Sequence, residues 1–389
     1  MGPNGSRWLC EDAVEPGAGF RAVLPMGVEA KRWWVATDLG LFFTEDGGCN
    51  FSVAEGPLAG AIPHGISPRP ETILRPEGAE FVVATATFGA RNDVWWTEDG
   101  GQTWSSAGLD IEGRVYSLIR SPVDPNLMYV AHAEGAARSE DGGRTFLPMA
   151  LGPSELEVLP VEFSLIGASA AERDRVYAVV QRFPTSLLLS SADGGDTWSV
   201  ATELDEYPRG MATNEAGSVR VTVPFSGVLR QESPDAPWSL TPEEIPFLGC
   251  LTPGPAGDLW ACSNVFFQGP WVLGSSSDFG DTWQPTLERF QSVTPTWGCA
   301  PESAATTACA AFCPGEGPEA TCGDPDAGVP MEAQPDQGIF EEDSGVEGNR
   351  SSGGGCVARS GPLPHGIPWF LGCLAMLGLR LNRRSRGCA

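Results

Sequence analysis

Thr97-Glu98-Asp99-Gly100-Gly101-Gln102-Thr103-Trp104 is one copy of an octad that returns along this chain of 389 residues. Ser139 to Phe146, Ser191 to Trp198 and Ser276 to Trp283 repeat it, and Thr44 to Phe51 is a looser version. The shared pattern is Ser/Thr-x-Asp-x-Gly-x-Thr-Trp/Phe. Its fixed points are Asp46, Gly48 and Phe51; Asp99, Gly101 and Trp104; Asp141, Gly143 and Phe146; Asp193, Gly195 and Trp198; and Asp278, Gly280 and Trp283. Halfway across the long gap between the last two copies lies Gln231 to Trp238, where the terminal Trp238 survives; it reads as a degenerate sixth copy. The spacing is that of a repeated supersecondary unit of about 40–50 residues, the length of four strands and their turns.

Each residue type in the octad has a mechanical reason. The Asp is expected to accept from a backbone N–H two residues on, as in an Asx turn. The second Gly supplies a left-handed conformation that a Cβ resists. The aromatic opens the next strand and buries a large ring. Runs such as Phe20 to Leu24, Arg32 to Ala36, Val115 to Ile119, Leu127 to Ala131 and Arg175 to Val180 precede the octads. They are β-branched, aromatic and bounded by turns, so each repeat predicts two strands, a short third, the octad and a fourth. Adjacent aromatics, Trp33-Trp34 and Trp95-Trp96, point to opposite faces of a strand, so one of each pair is expected between repeats. The fold class expected is all-β: a β-propeller over residues 1–298, with six blades, or seven if Trp8-Leu9-Cys10 completes the ring or one blade lacks its octad.

These octads resemble the Asp-box, or BNR, repeats of sialidases, sortilin-type receptors and photosystem II assembly factors. The resemblance covers about residues 20–290. It implies a propeller with the octads on the turns between third and fourth strands, away from any active face, and therefore structural. It also supplies the enzymatic alternative, a secreted sialidase-like glycoside hydrolase. Such an enzyme needs an arginine cluster for a carboxylate, a Tyr nucleophile with a Glu partner and an Asp acid. The nearest approach to the family's early arginine motif is Phe20-Arg21-Ala22-Val23-Leu24-Pro25, with different spacing. Tyr116, Tyr129 and Tyr177 lie in strand runs and are expected to be core. No catalytic, cofactor-binding or metal-ligating set emerges, and the expected function is a non-catalytic binding or scaffold module of the cell envelope, with a protein or glycan ligand at a propeller face.

Charge and cysteines set the context. The formal net charge of −26 repels phosphate backbones, excluding nucleic acid, and suits a cationic partner. Eleven Cys with no C-x2-C pair and scattered His fit disulfides in an oxidising compartment better than zinc. Cys250 and Cys262 flank a turn and are expected to pair across two strands; Cys10 is set with Cys49. Cys299, Cys309, Cys313 and Cys322 are expected to form a small disulfide segment over residues 299–323.

Residues 324–355 are acidic, rich in Pro and Gly, and read as a disordered linker. From Cys356 to the end, a Gly-rich Cys motif precedes an apolar run (Ile367 to Leu379) and the basic Arg380, Arg383, Arg384 and Arg386. This order resembles the myxobacterial C-terminal sorting signal, which implies export, membrane contact through the tail alone, and sorting near Cys356. Residues 1–30 carry no charged start followed by an apolar run, so an export signal is expected upstream of Met1.

Overall fold

In the computed structural model, residues 13–309 are described, apart from 28, 30, 155, 225, 235, 242–244, 246–247, 255–256, 264–269 and 289–298. Six four-stranded antiparallel sheets follow one another along the chain, and the fold is a six-bladed β-propeller. Blade 1 comprises β1 (Phe20–Met26), β2 (Arg32–Thr37), β3 (Leu41–Thr44) and β4 (Ser52–Val53). Blade 2 begins with Pro63–Pro68 and Phe81–Thr85, blade 3 with Val115–Arg120 and Met128–His132, and blade 4 with Phe163–Ala168 and Val176–Arg182. Blade 5 begins with Gly210–Thr213 and Val219–Val223, and blade 6 with Leu248–Pro253 and Leu259–Ser263. Blade 2 also carries a two-stranded ribbon, Arg91–Asn92 against Ile111–Glu112.

First strands of adjacent blades pack against one another from blade 1 round to blade 6, so they line the axis. Second strands are sandwiched between neighbouring blades. Phe81–Thr85, Met128–His132 and Val219–Val223 are buried at every position. A strand covered on both faces reads as an unbroken apolar run instead of an alternation. The core is a series of inter-blade clusters, one of which joins Tyr129 and Leu127 of blade 3 to Phe163, Val176 and Trp198 of blade 4. The paired tryptophans divide as the pleat requires. Trp95 packs on the blade 1–2 cluster and Trp96 on the blade 2–3 cluster.

The joint between blades 6 and 1 carries a covalent device. Cys49 of the first octad is bonded to Cys299, 250 residues away, with Cα atoms 5.4 Å apart. Just beyond, Ala304 N donates to Asn50 Oδ1 (3.1 Å) and Ala305 N to Cys49 O (3.0 Å) at the start of a short helix, α1 (Ala304–Cys309). This corrects two expectations: Cys49 pairs with Cys299 and not Cys10, and Cys299 leaves the group expected with Cys309, Cys313 and Cys322. The chain after blade 6 must fasten to blade 1 if the ring is to close, and this bond does so. Cys250 and Cys262 are bonded to each other across the first two strands of blade 6. Trp8, Cys10, Cys313, Cys322, the linker, and Cys356, Arg383, Arg384 and Arg386 of the tail lie outside the described residues.

A disulfide that closes so long a loop stabilises mainly by restricting the unfolded chain. Cys49→Ser is expected to lower stability by about 2–5 kcal/mol, read as a fall in denaturation midpoint by calorimetry. An unchanged midpoint would show that the ring closes without the bond.

Candidate functional site

The octads occupy the turns between third and fourth strands, and their hydrogen bonds repeat from blade to blade. Asp99 Oδ1 accepts from Thr97 Oγ1 (2.8 Å) and Thr103 N (2.9 Å), and Oδ2 from Thr103 Oγ1 (2.6 Å). Asp141, Asp193 and Asp278 accept the same three bonds from Ser139 and Thr145, Ser191 and Thr197, and Ser276 and Thr282. At Asp46, Asn50 supplies both its N–H and its Nδ2 in place of a Thr. The backbone donor shared by all five therefore lies four residues on, not two as an Asx turn would have it. The leading Ser/Thr hydroxyl spans the same four residues, accepting the N–H of the second Gly, as in Gly101 N to Thr97 Oγ1 (2.9 Å).

The second Gly needs its missing Cβ twice over. Gly48, Gly101, Gly143, Gly195 and Gly280 have φ between 90° and 95°. At Gly101 an added Cβ would also sit 2.3 Å from Trp34 of the preceding blade. The octad rings close the motif: Trp198 and Trp283 are buried, Trp104, Phe146 and Trp238 are half-buried against inter-blade clusters, and Phe51 is half-buried against a cluster of blade 1 and Val14. In the degenerate copy, Gln231 stands at the leading Ser/Thr position and its Nε2 donates to Pro234 O (3.1 Å) and Ala236 O (2.9 Å).

The opposite face holds the polar groups at the axis. The start of each first strand pairs with the end of the second, so it lies at the other end of the blade from the octad. The first strands of blades 1, 2, 3 and 6 are bulged at their second residue, which in blade 6 is Gly249 and in the other three is a polar residue. The register slips between Phe20 and Ala22, between Pro63 and Gly65, and between Val115 and Ser117. The displaced residues are Arg21, His64 and Tyr116. A bulge re-aims a side chain that regular pleating would bury between blades. Tyr116 is accordingly half-buried, while Tyr129 and Tyr177 are core as expected.

These three residues interact. Burial lowers the pKa of the Arg21 guanidinium, with Asp38 opposing and Arg114 reinforcing the shift. His64 is pushed down to about 4 by burial and then by Arg21, against a hydrogen bond to the Tyr116 backbone. Burial raises the Tyr116 phenol, with Arg114 opposing. Arg114 also stands 5.8 Å from the ring of Phe88, which is 83% exposed on the blade 2 connection that carries the ribbon. Tyr207, beside Ser164 and Arg209, extends polar character towards blades 4 and 5. Among the described residues no group of three or more His, Cys, Asp or Glu is arranged to hold a metal.

Sequence reading placed the octads and missed the axial trio. Arg21 was visible as part of a partial motif, His64 as one of the scattered histidines, and Tyr116 as core. The signal lay in repeat alignment, because each is the second residue of a first strand.

No family model matches the chain, and no curated protein matches it. Several solved structures are similar. An ancestral GH74 enzyme superposes with a TM-score of 0.51 at 15% identity, over 72% of this chain and 42% of that one. A Niastella koreensis GH74 enzyme gives 0.47 at 16% identity, over 69% and 37%. YCF48 bound to D1 peptide gives 0.48 at 18% identity, over 70% and 82%. The chain thus spans less than half the length of the two GH74 enzymes. The likeness to the ancestral GH74 enzyme is one of fold.

Two titrations follow. Asp193, held down first by Thr197, and Asp278, where the bonds from Thr282 and Ser276 outweigh burial, both have a pKa of about 2, below the ordinary 3.8. A depressed carboxylate contributes stability that is present above the ordinary value and lost as pH falls towards the folded one. Asp193→Asn and Asp278→Asn are expected to lower stability at pH 7 and to flatten its decline between pH 4 and 2, measured by urea unfolding across that range. Separately, the His64 ring resonances are expected to titrate near pH 4, leaving the imidazole neutral through pH 5–8; a midpoint near 6.5 would contradict its burial.

Proposed function

We propose that the octads are Asp-boxes of the BNR kind and that the protein is a non-catalytic binding or scaffold module of the cell envelope. Its ligand, a protein or glycan, is taken at the axial mouth opposite the octads. The observation that carries this reading is the trio of Arg21, His64 and Tyr116, each displaced by a bulge at the same place in successive blades. In three of the four blades that carry a bulge at this place the residue it re-aims is polar, which suits a recognition surface. The octad aspartates serve as structural turns, their oxygens already occupied by their own hydroxyls and amides.

The hydrolase reading has some support: Arg21 and Arg114 lie close enough to influence one another beside Tyr116, and Arg209 lies near Tyr207. A Tyr nucleophile needs an activating carboxylate, however. The charge felt by both phenols is an arginine in each case, and burial raises both pKa values. This electrostatics suits a tyrosine that donates a hydrogen bond to a ligand. The GH74 likeness adds no catalytic residue at such identity.

Export is part of the proposal. Two disulfides fit an oxidising compartment, and the sequence from Cys356 resembles a sorting tail. On this reading residues 1–298 form the propeller, 324–355 act as the spacer, and 356–389 direct the chain to the surface.

The test pairs two assays on the full chain. A fluorogenic sialoside is expected to give no turnover; turnover abolished by Tyr116→Phe would establish the hydrolase instead. In pull-downs from envelope extracts, Arg21→Ala and Arg114→Ala are expected to lose a partner that the unaltered protein retains, with thermal midpoints within a few degrees of it. Equal capture by all three would move the ligand site off the axial mouth.

A further inference from the structure

On the octad side, between blades 1 and 2, lies an open groove of about 820 Å³ walled by Trp33, Trp34, Phe43 and Trp104. Its rings are set at angles to one another. Trp34 and Trp104 meet edge to face (5.7 Å, 87°), and Trp34 and Phe43 are tilted (5.2 Å, 39°). Such walls present π faces from more than one direction, unlike the flat single platform on which a sugar ring stacks. Trp33, Phe43 and Trp104 remain half-exposed.

The rim is acidic. One cation, Arg32, lines the groove, and it is paired with Glu45 at 3.3 Å. Asp99 is occupied inside its own octad. Glu55 and Glu77 also line the groove, are exposed, and form no ion pair or side-chain hydrogen bond with another described residue. Aromatic faces beneath free carboxylates select a cation, because the ring quadrupole and the formal charges attract it together. The net charge of −26 draws the same kind of ligand from a distance.

The fold shows how a chain lies in such a groove. Between blades 3 and 4, Met149, Ala150 and Leu151 pack on the core beside Trp198. The Trp198 indole N–H donates to Ala150 O (2.9 Å), and Ala150 N donates to Gly195 O (3.1 Å). At the blade 1–2 joint the corresponding linker, Glu55-Gly56-Pro57, forms a rim of the groove instead.

We propose that the blade 1–2 groove binds an extended basic segment of a partner protein, seating a lysine or arginine side chain between Trp104 and Phe43 under Glu55 and Glu77. The site is separate from the axial mouth and stands whether or not that face binds a ligand. Ac-Gly-Lys-Gly-NH2 titrated into the full chain is expected to shift the indole resonances of Trp104 and Trp33, with Trp104→Phe identifying the signal. The neutral Ac-Gly-Gln-Gly-NH2 should leave them in place. Glu55→Gln/Glu77→Gln, which alters only exposed side chains, should weaken the lysine peptide about five- to tenfold, and added salt should do likewise. Equal response to both peptides, uniform shifts at every indole, or full affinity in the double variant would overturn the proposal. So would stronger shifts from a neutral oligosaccharide.

Discussion

The arrangement depends on one carboxylate saturated by its own turn. In each complete octad the Asp accepts two hydroxyl hydrogens and at least one backbone N–H, and Asp141 takes two, holding the chain between third and fourth strands in a fixed shape. Asp suits the place because its short side chain reaches both hydroxyls with little conformational freedom to lose, while charge strengthens every bond it accepts. The fixed turn then makes the octad's sixth residue useful as an arm. Arg144 reaches Glu98 of blade 2, Asp196 stands 3.5 Å from Arg138 of blade 3, and Asp281 lies 2.9 Å from Arg230 of blade 5. The motif is thus both a local turn and a joint between blades.

Departures from the motif occur where a joint has different work to do. At the first octad the arm is Cys49, and an ionic contact gives way to a covalent one because its partner segment follows the last blade. At blade 5 the octad Asp is absent, and this is the blade whose second strand contributes Arg220. That side chain is 2% exposed, pairs with Glu232 (3.2 Å) and Asp281 (3.5 Å), and lies 5.0 Å from the Phe279 ring. Phe279 takes the first-glycine position of the sixth octad at φ 57°, a conformation costly for a bulky residue. The guanidinium over its ring helps to offset that cost.

Much of this was legible in the sequence, because the octad is local and its residue types are dictated by backbone geometry and hydrogen-bond capacity. The second strands were legible for a related reason: burial on both faces leaves an unbroken apolar run, as in Leu127 to Ala131. The partner of Cys49 was not, since ring closure joins positions far apart in the chain. Nor was the axial trio, since a bulge shifts the pleat by one residue and Tyr116 then leaves the face that alternation assigns it. The four-residue reach of the Asp also lay beyond a motif reading, which takes the commonest local turn by default.

The two faces follow opposite electrostatic rules. The octad face is built from self-satisfied carboxylates, and a rim carboxylate there without a partner, such as Glu55 or Glu77, is an exception to the pattern. At the axial mouth, arginines and a neutral histidine stand within a molecule of large negative charge. Burying Arg21 lowers its pKa, so its position carries a desolvation cost that packing alone would not require. On the two proposals, cationic groups half-buried at one end of the axis and free carboxylates on the other face would let one acidic molecule hold two ligands of unlike charge at once, the anionic one drawn by the local field and not by the net charge.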